Sequence, residues 1–315
     1  MTKISVVIPV YNEEGNIKQL FRELTDVLGG LALEGGIDSY EVLFIDDGST
    51  DGTYRIIKEI HQKDKHVKAI RFQRNFGKSA ALSAGFEKAD GDVIFTMDGD
   101  LQDDPKEIPK FLDKLDEGYG LVVGWKYRRR DPQTKRIPSK IFNRLTSYLT
   151  GVRIHDMNCC FKAYRKEAVR NVNLYGELHR YIPALVYWKG YSVAEIKVNH
   201  RPRTYGKSKY GPMRLLKGFF DLITVKFLIT YSTRPLHLFG ILGLLSTAAG
   251  LLIGIYLLYL KYFLNELIGE RPLLFASILL IIVGVEFVSM GLLGEMITST
   301  HQLPGMGYTI KETIE

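Results

Sequence analysis

The chain is nearly free of cysteine: 315 residues contain two, Cys159 and Cys160, and these are neighbours. Adjacent cysteines close almost no loop, so a disulfide framework is excluded. No Asn-x-Ser/Thr acceptor occurs, and nothing else points to an oxidising compartment. There is no G-x-G-x-x-G and no G-x4-G-K-[ST]. A dinucleotide dehydrogenase and a P-loop enzyme are thereby set aside. His155 and His200 lack zinc-type spacing and read as ordinary polar contacts. No nucleic-acid module, internal repeat or low-complexity tract is present, so nucleic acid is not expected as a partner. The N-terminal segment does not read as a signal peptide, because Ile4–Val10 is short and Asn12, Glu13 and Glu14 follow at once.

What is present is divided unevenly. Residues 121–217 hold 22 lysines and arginines against 5 acids, a local charge of +17, while the whole chain is only +7. The remainder is therefore acidic. A basic middle next to apolar segments suggests anionic partners, either lipid headgroups or phosphates. A solvated basic face is the plain alternative.

The first hundred residues alternate between short β-branched runs and helical spacing. Strands are expected over Ile4–Val10, Glu41–Ile45, Val67–Phe72 and Asp92–Met97. Helices are expected over Glu14–Leu28, Thr53–Lys63 and Ser79–Lys88. Leu121–Lys126 and Tyr191–Val198 read as later strands, and Arg128–Arg153 as basic and partly helical. Such alternation predicts an α/β domain, Rossmann-like, with a mostly parallel sheet and helices on both faces. Ligands then bind beyond the carboxyl ends of the strands. Glu13, Asp46, Asp47, Asp98 and Asp100 all fall at that end.

The last third is different. Met213–Thr230 mixes Leu and Phe with Arg214, Lys217 and Lys226, a pattern for a helix lying in a membrane interface; a buried amphipathic helix is the alternative. Leu236–Leu260 and Leu273–Gly294 are each long enough to span a bilayer core. A short turn joins them, which makes a hairpin. Lys226, Arg234 and the basic domain place both chain ends on the cytoplasmic side. Glu286 sits inside the second span and reads as a helix–helix or subunit contact.

The chemistry centres on Asp98-Gly-Asp100. Two carboxylates separated by one small residue, on a turn after a hydrophobic strand, can share a hard cation such as Mg2+ or Mn2+. Such an ion neutralises charge on a departing diphosphate. Asp-x-Asp alone is weak, because surface loops often carry it. Four further motifs accompany it: Pro9-Val-Tyr-Asn-Glu13, Asp46-Asp-Gly-Ser-x-Asp51-x-Thr53, Arg74-Asn-Phe-Gly-Lys78 and Asp156-x4-Phe161-Lys162.

Together these motifs resemble the inverting family-2 glycosyltransferases of the polyprenyl-phosphate sugar synthase group, which includes dolichyl-phosphate mannose synthases. The two spans and Met290-Gly-Leu-Leu-Gly-Glu295 resemble its bacterial branch. That branch loads glucose or 4-amino-4-deoxy-arabinose onto undecaprenyl phosphate. The resemblance implies an A-type glycosyltransferase domain that binds a nucleotide-sugar. Pro9, Tyr11 and Glu13 would line the nucleotide pocket and Asp47 would contact the base or ribose, with Asp46 and Lys78 belonging to the same donor site. Asp98 and Asp100, with Gln102, would hold metal and diphosphate. Arg203 and Lys209 match the group's late phosphate-binding loop. Lys126, Lys135 and Arg136 would clamp the acceptor phosphate. The group often has Arg at the place of Lys126, and some members have Arg at the place of Tyr205. Asp156 matches the group's catalytic base, although a lipid phosphate with a second pKa of about 6 needs little deprotonation. Orienting a basic side chain or the sugar is the other role open to it.

The expected layout is a cytoplasmic catalytic domain over 1–210, a juxtamembrane helix over 211–233, a hairpin over 234–300 and a cytoplasmic tail over 301–315. The resemblance implies a multi-pass protein of the inner membrane, a homo-tetramer, that transfers glucose from UDP-glucose to undecaprenyl phosphate. A mannose or 4-amino-4-deoxy-arabinose nucleotide is the alternative donor, and an inactive membrane scaffold the alternative class. A processive polysaccharide synthase would need Gln-x-x-Arg-Trp and a many-helix channel, and the sequence has neither.

Overall fold

The structure, a computed structural model, describes residues 2–127, 143–170, 172–202, 214–231 and 234–301. It divides into two compact units, Met1–Val225 and Lys226–Glu315.

The first unit is built on one seven-stranded sheet in the order β3-β2-β1-β4-β6-β5-β7. The strands are β1 Lys3–Val10, β2 Ser39–Asp46, β3 Val67–Arg71, β4 Val93–Thr96, β5 Leu121–Lys126, β6 Lys162–Arg165 and β7 Val193–Val198. Strands β1 to β4 run parallel, as the alternation predicts, and β5 is parallel to β7. Strand β6 lies antiparallel between β4 and β5. It is absent from the sequence reading, because its four residues begin and end on charged side chains inside a motif read only for its chemistry.

Strand β1 is a near-continuous apolar run because both its faces are covered. On one face α3 (Lys78–Lys88) approaches so closely that a Cβ on Gly85 would fall inside contact distance of Val7 Cγ1. On the other, Phe95 of β4 stacks edge-on against Phe111 at 5.8 Å, and Phe111 reaches Phe161 at 4.5 Å. Phe111 belongs to α4 (Ile108–Asp116), a helix not anticipated above. Helix α1 (Ile17–Leu33) buries Ile17, Leu20, Leu24 and Leu28, the stripe expected from its spacing. Helix α2 (Thr53–Lys63) has the predicted bounds. Residues 143–150 are helical, and α5 (Ile182–Trp188) follows a short 3-10 turn at Leu178–Tyr181.

Helix α6 (Arg214–Tyr231) bears exposed Phe220 and Ile223. Helices α7 (Pro235–Phe263) and α8 (Pro272–His301) are each long and apolar enough to cross a membrane. They pack through small residues at seven-residue spacing: Gly243 and Gly250 on α7, Ser277 and Gly284 on α8. A Cβ on Gly243 would lie 2.6 Å from the Gly284 carbonyl oxygen, and one on Gly250 would lie 2.8 Å from that of Ser277. Ser277 Oγ donates to the Gly250 carbonyl at 2.7 Å, and Ser246 Oγ to that of Leu280 at 2.8 Å. Small residues and side-chain hydroxyls bind helices in this way where apolar surroundings give no hydrophobic drive. Glu286 is exposed on α8, so it does not serve the α7–α8 contact.

Gly85→Val should destabilise the first unit by about 1–3 kcal/mol through overpacking against Val7. Gly29→Ala, with open space around its Cβ position on α1, should be neutral or stabilising by about 0.5–1 kcal/mol. Denaturant unfolding of the full chain in detergent, followed by tryptophan fluorescence, checks the contrast.

Candidate active site

Loops at the carboxyl ends of β1, β2 and β4 build the site from three directions. After β1, Asn12 adopts a left-handed φ of 54°, which turns the Tyr11–Glu14 segment onto the loop after β2. The Asn12 N–H donates to Ser49 Oγ at 3.0 Å, the Glu13 N–H to Thr53 Oγ1 at 2.8 Å, and the Thr50 N–H to Asn12 Oδ1 at 2.9 Å. Glu13 also accepts from Asn16 Nδ2 at 2.6 Å. The motifs after β1 and β2 are thereby one structure.

Asp46 and Asp47 end β2 but face different tasks. Buried Asp46 accepts from the Ser49 N–H at 2.9 Å and pairs with Arg71 Nε at 3.2 Å. Asp47 accepts the backbone N–H groups of Phe76 and Gly77 at 2.7 and 2.9 Å. It thereby fixes the Arg74–Lys78 loop. Burial raises the Asp47 pKa and nearby Asp46 adds to this, while those two amides oppose it. Gly48, at φ 74°, lets the β2 loop lie directly on the Arg74–Asn75 backbone, where a Cβ would fall 2.5 Å from Arg74 C.

That loop delivers Lys78 to Asp98. The Lys78 Nζ donates to Asp98 Oδ1 in a short ion pair. Beyond it, Leu101 takes a left-handed φ of 62°, a strained turn for a non-glycine residue. The turn folds the 98–104 segment back on itself. The Gln102 N–H donates to Asp100 Oδ1 at 3.2 Å, and the Asp98 N–H reaches Asp103 Oδ2 at 3.4 Å. Asp103 is 1% exposed and pairs with Lys126 Nζ at 3.2 Å. Burial alone would raise the Asp98 pKa; Lys78, then Lys126, reverse this and hold the carboxyl well below its ordinary range. Burial alone would lower that of Lys126, but Asp103, Cys159, Asp98 and Asp156 together push it up. The site is thus a chain of alternating charges in which Asp98 and Lys126 are each held in the charged form against their burial.

Asp156 is buried on the loop leading to β6, and its charge is felt at Lys126. Cys159 and Cys160 follow it, both buried and free; burial pushes each thiol up to about 12. His155 stacks on Trp125 at 4.0 Å, and both its backbone N–H and its ring pair with Glu195. His200 approaches Gln102, its ring Nε2 lying 3.4 Å from Gln102 Nε2. Both histidines are polar contacts, as read from the sequence.

The structure therefore brings together Pro9, Tyr11, Glu13, Asp46 and Asp47 on one side, and Lys78, Asp98, Asp100, Gln102, Lys126 and Asp156 on the other. Lys135, Arg136, Arg203 and Lys209 lie outside the described residues. Asp103 is absent from the sequence reading. It follows Asp-x-Asp as one acid among several, and only its burial against Lys126 sets it apart.

No group of three or more His, Cys, Asp or Glu side chains converges on a common point among the described residues. The carboxylates of Asp98 and Asp100 still fit a hard cation. Magnesium or manganese takes oxygen donors, and often only one or two protein carboxylates with phosphate and water completing the shell.

A mixed sheet of this order, with an Asp-x-Asp turn past its fourth strand, is the A-type glycosyltransferase domain. Residues 5–172 match the model of glycosyl transferase family 2, and the chain belongs to that family. It is 38% identical over 304 residues to the dodecaprenyl-phosphate galacturonate synthase of Rhizobium johnstonii, covering 95% of this chain and 88% of that protein. It is also 38% identical over 298 residues to the undecaprenyl-phosphate 4-deoxy-4-formamido-L-arabinose transferase of Shewanella sediminis, covering 93% and 86%. Among solved structures, glucosyl-3-phosphoglycerate synthase of Mycobacterium tuberculosis, in complex with Mn2+, UDP and phosphoglyceric acid, superposes with a TM-score of 0.52. It is 20% identical, and the match covers 72% of this chain and 78% of that one.

Lys126→Met leaves Asp103 buried without its partner and should destabilise the protein by about 3–5 kcal/mol. The folded pKa of Lys126 lies above its unfolded value. Its contribution is therefore fully present below about pH 10.4 and lost only above it. The drop in melting temperature should be constant from about pH 6 to 9. Cys159 and Cys160 should resist iodoacetamide at about pH 8 until denaturant is added, because the thiolate is the nucleophile. Mass spectrometry of the alkylated chain reads this directly.

Proposed function

We propose that this chain transfers a sugar from a UDP-sugar to a polyprenyl phosphate at the cytoplasmic face of the inner membrane. One observation carries the reading most: Asp98 lies between Lys78 of the donor-side loop and Lys126, whose charge is also linked to Asp156. Donor and acceptor chemistry thus share one charge network. The two lipid-phosphate sugar transferases that match nearly the whole chain support the same reading.

The roles then divide along the chain. Pro9, Tyr11, Glu13 and Asp46 shape the nucleotide pocket, and Asp47 holds the loop carrying Lys78. Asp98, Asp100 and Gln102 hold Mg2+ or Mn2+, which supplies charge neutralisation at the leaving diphosphate. Lys126, Lys135 and Arg136 draw in the acceptor phosphate, and Arg203 and Lys209 grip donor phosphate. A single displacement at the anomeric carbon inverts configuration, so an α-linked donor gives a β-linked lipid sugar. Asp156 orients a cation or the sugar beside the acceptor. Residues 1–210 form the catalytic domain and 211–233 a juxtamembrane helix. Spans of about 236–260 and 273–294 anchor the chain, with 301–315 as a tail. Subunits associate, and a tetramer is the state to look for. Glucose is the first donor to test, ahead of mannose and 4-amino-4-deoxy-arabinose.

The test is metal-dependent UDP release when undecaprenyl phosphate is added to the purified protein, with UDP-glucose, UDP-galacturonate and the UDP-linked formamido-arabinose as donors. Mass spectrometry of the lipid product identifies the sugar. Asp98→Asn and Asp100→Asn should each lower turnover by at least about 10²-fold, on the scale of losing one preorganised electrostatic contact. Absence of release from every donor would instead favour an inactive scaffold. Asp156→Asn should lower turnover equally across about pH 6 to 9. A loss that shrinks as pH rises would assign Asp156 the work of a general base.

A further inference from the structure

Beside Lys78 the first unit holds a cavity of about 10 Å³, lined by Lys78, Thr96, Asn158, Lys162, Tyr164 and His179 among others. That is room for about one water-sized group. Lys162 closes the Asp156-x4-Phe161-Lys162 motif, but no role is assigned above to it, to Asn158 or to His179. Lys162 is 3% exposed and donates to the Cys159 carbonyl; no carboxylate lies within ion-pair distance of it among the described residues. An ammonium has three donors, and a buried one needs acceptors for them. His179 is tied through Nδ1 to Ser79 Oγ at 3.0 Å. Burial, then Lys78, Arg180 and Lys162, holds it well below its ordinary pKa, so its ring is neutral. Thr96 and Tyr164 of the wall are already engaged, with Thr96 Oγ1 donating to the Cys160 carbonyl at 2.6 Å and lying 3.4 Å from the Tyr164 hydroxyl.

The position of the cavity suggests what fills it. Lys78 belongs both to its wall and to the ion pair with Asp98. Asp98 is the carboxylate assigned to the donor's diphosphate. The group bonded directly beyond a donor diphosphate is the sugar. We propose that this cavity reads the donor sugar: Lys162 and His179 receive an acceptor oxygen carried on the sugar ring, a hydroxyl or a carboxylate. This rests on the nucleotide-sugar reading above and extends it to residues that touch the sugar rather than the nucleotide.

The test is equilibrium binding to the full-length protein with Mn2+ present, comparing UDP with UDP-glucose and UDP-galacturonate. Lys162→Met should weaken the preferred UDP-sugar by about 10–100-fold, the scale of a hydrogen bond to a charged group. It should leave UDP itself within about 3-fold, since UDP carries no sugar to meet the cavity. A larger loss with UDP-galacturonate identifies a carboxylate as the occupant, and a loss with UDP-glucose a hydroxyl. His179→Gln should show the same pattern more weakly, and it decides the matter if Lys162→Met has no cooperative melt. Parallel weakening of UDP and UDP-sugar in a folded variant, or no change in either, overturns the proposal. These are binding measurements, so they remain decisive even if no transfer to polyprenyl phosphate is found, an outcome that would count against the function reading alone.

Discussion

Charge compensation around Asp98 is the constraint on which the first unit depends. Isolated carboxylates in a poorly solvated site would take up protons, and isolated lysines would lose them. Against that burial, Lys78 and Lys126 hold the Asp98 carboxyl low, and Asp103 and Asp98 hold the Lys126 ammonium high. The four charges come from three parts of the chain: the start of α3, the turn after β4 and the end of β5. The sheet order that makes β4 a neighbour of β1 and β6 is therefore also what assembles the network. The fold and the electrostatics cannot be separated here, because the burial that would neutralise each group is what makes its partner effective.

The same logic accounts for the loops. Asp47 spends both carboxylate oxygens on backbone amides of the 76–77 turn, two connections away in sequence. Asn12 and Leu101 accept left-handed backbone conformations. Such strain persists only where surrounding contacts hold it, and the backbone hydrogen bonds donated to Ser49, Thr53 and Asp100 supply that support.

The parallel half of the sheet was legible because it obeys a simple rule. A strand covered on both faces must be largely apolar, and β1, β2 and β4 carry such runs at Val6–Val10, Val42–Ile45 and Val93–Phe95. Strand β6 was not legible, because Lys162 and Arg165 break its pattern while Lys162 is nonetheless buried. The Asp-x-Asp turn could be read because its spacing is local. Asp103 and Lys126 could not be paired from sequence, since 23 positions separate them and only the strand arrangement brings them to 3.2 Å. His179, reaching Ser79 from 100 positions away, was hidden for the same reason. Glu286 shows the converse: its place within the second span was legible, but a helical repeat does not say which face packs, and the glycine seam lies elsewhere on α8.

That seam has a geometrical consequence. Where Gly243 and Gly250 meet α8, backbone oxygens stand where even a methyl group would not fit. A hydrocarbon chain is wider than a methyl group is long, so no tail can thread between α7 and α8. Whatever a prenyl tail touches on this chain, it is not the inside of the α7–α8 seam.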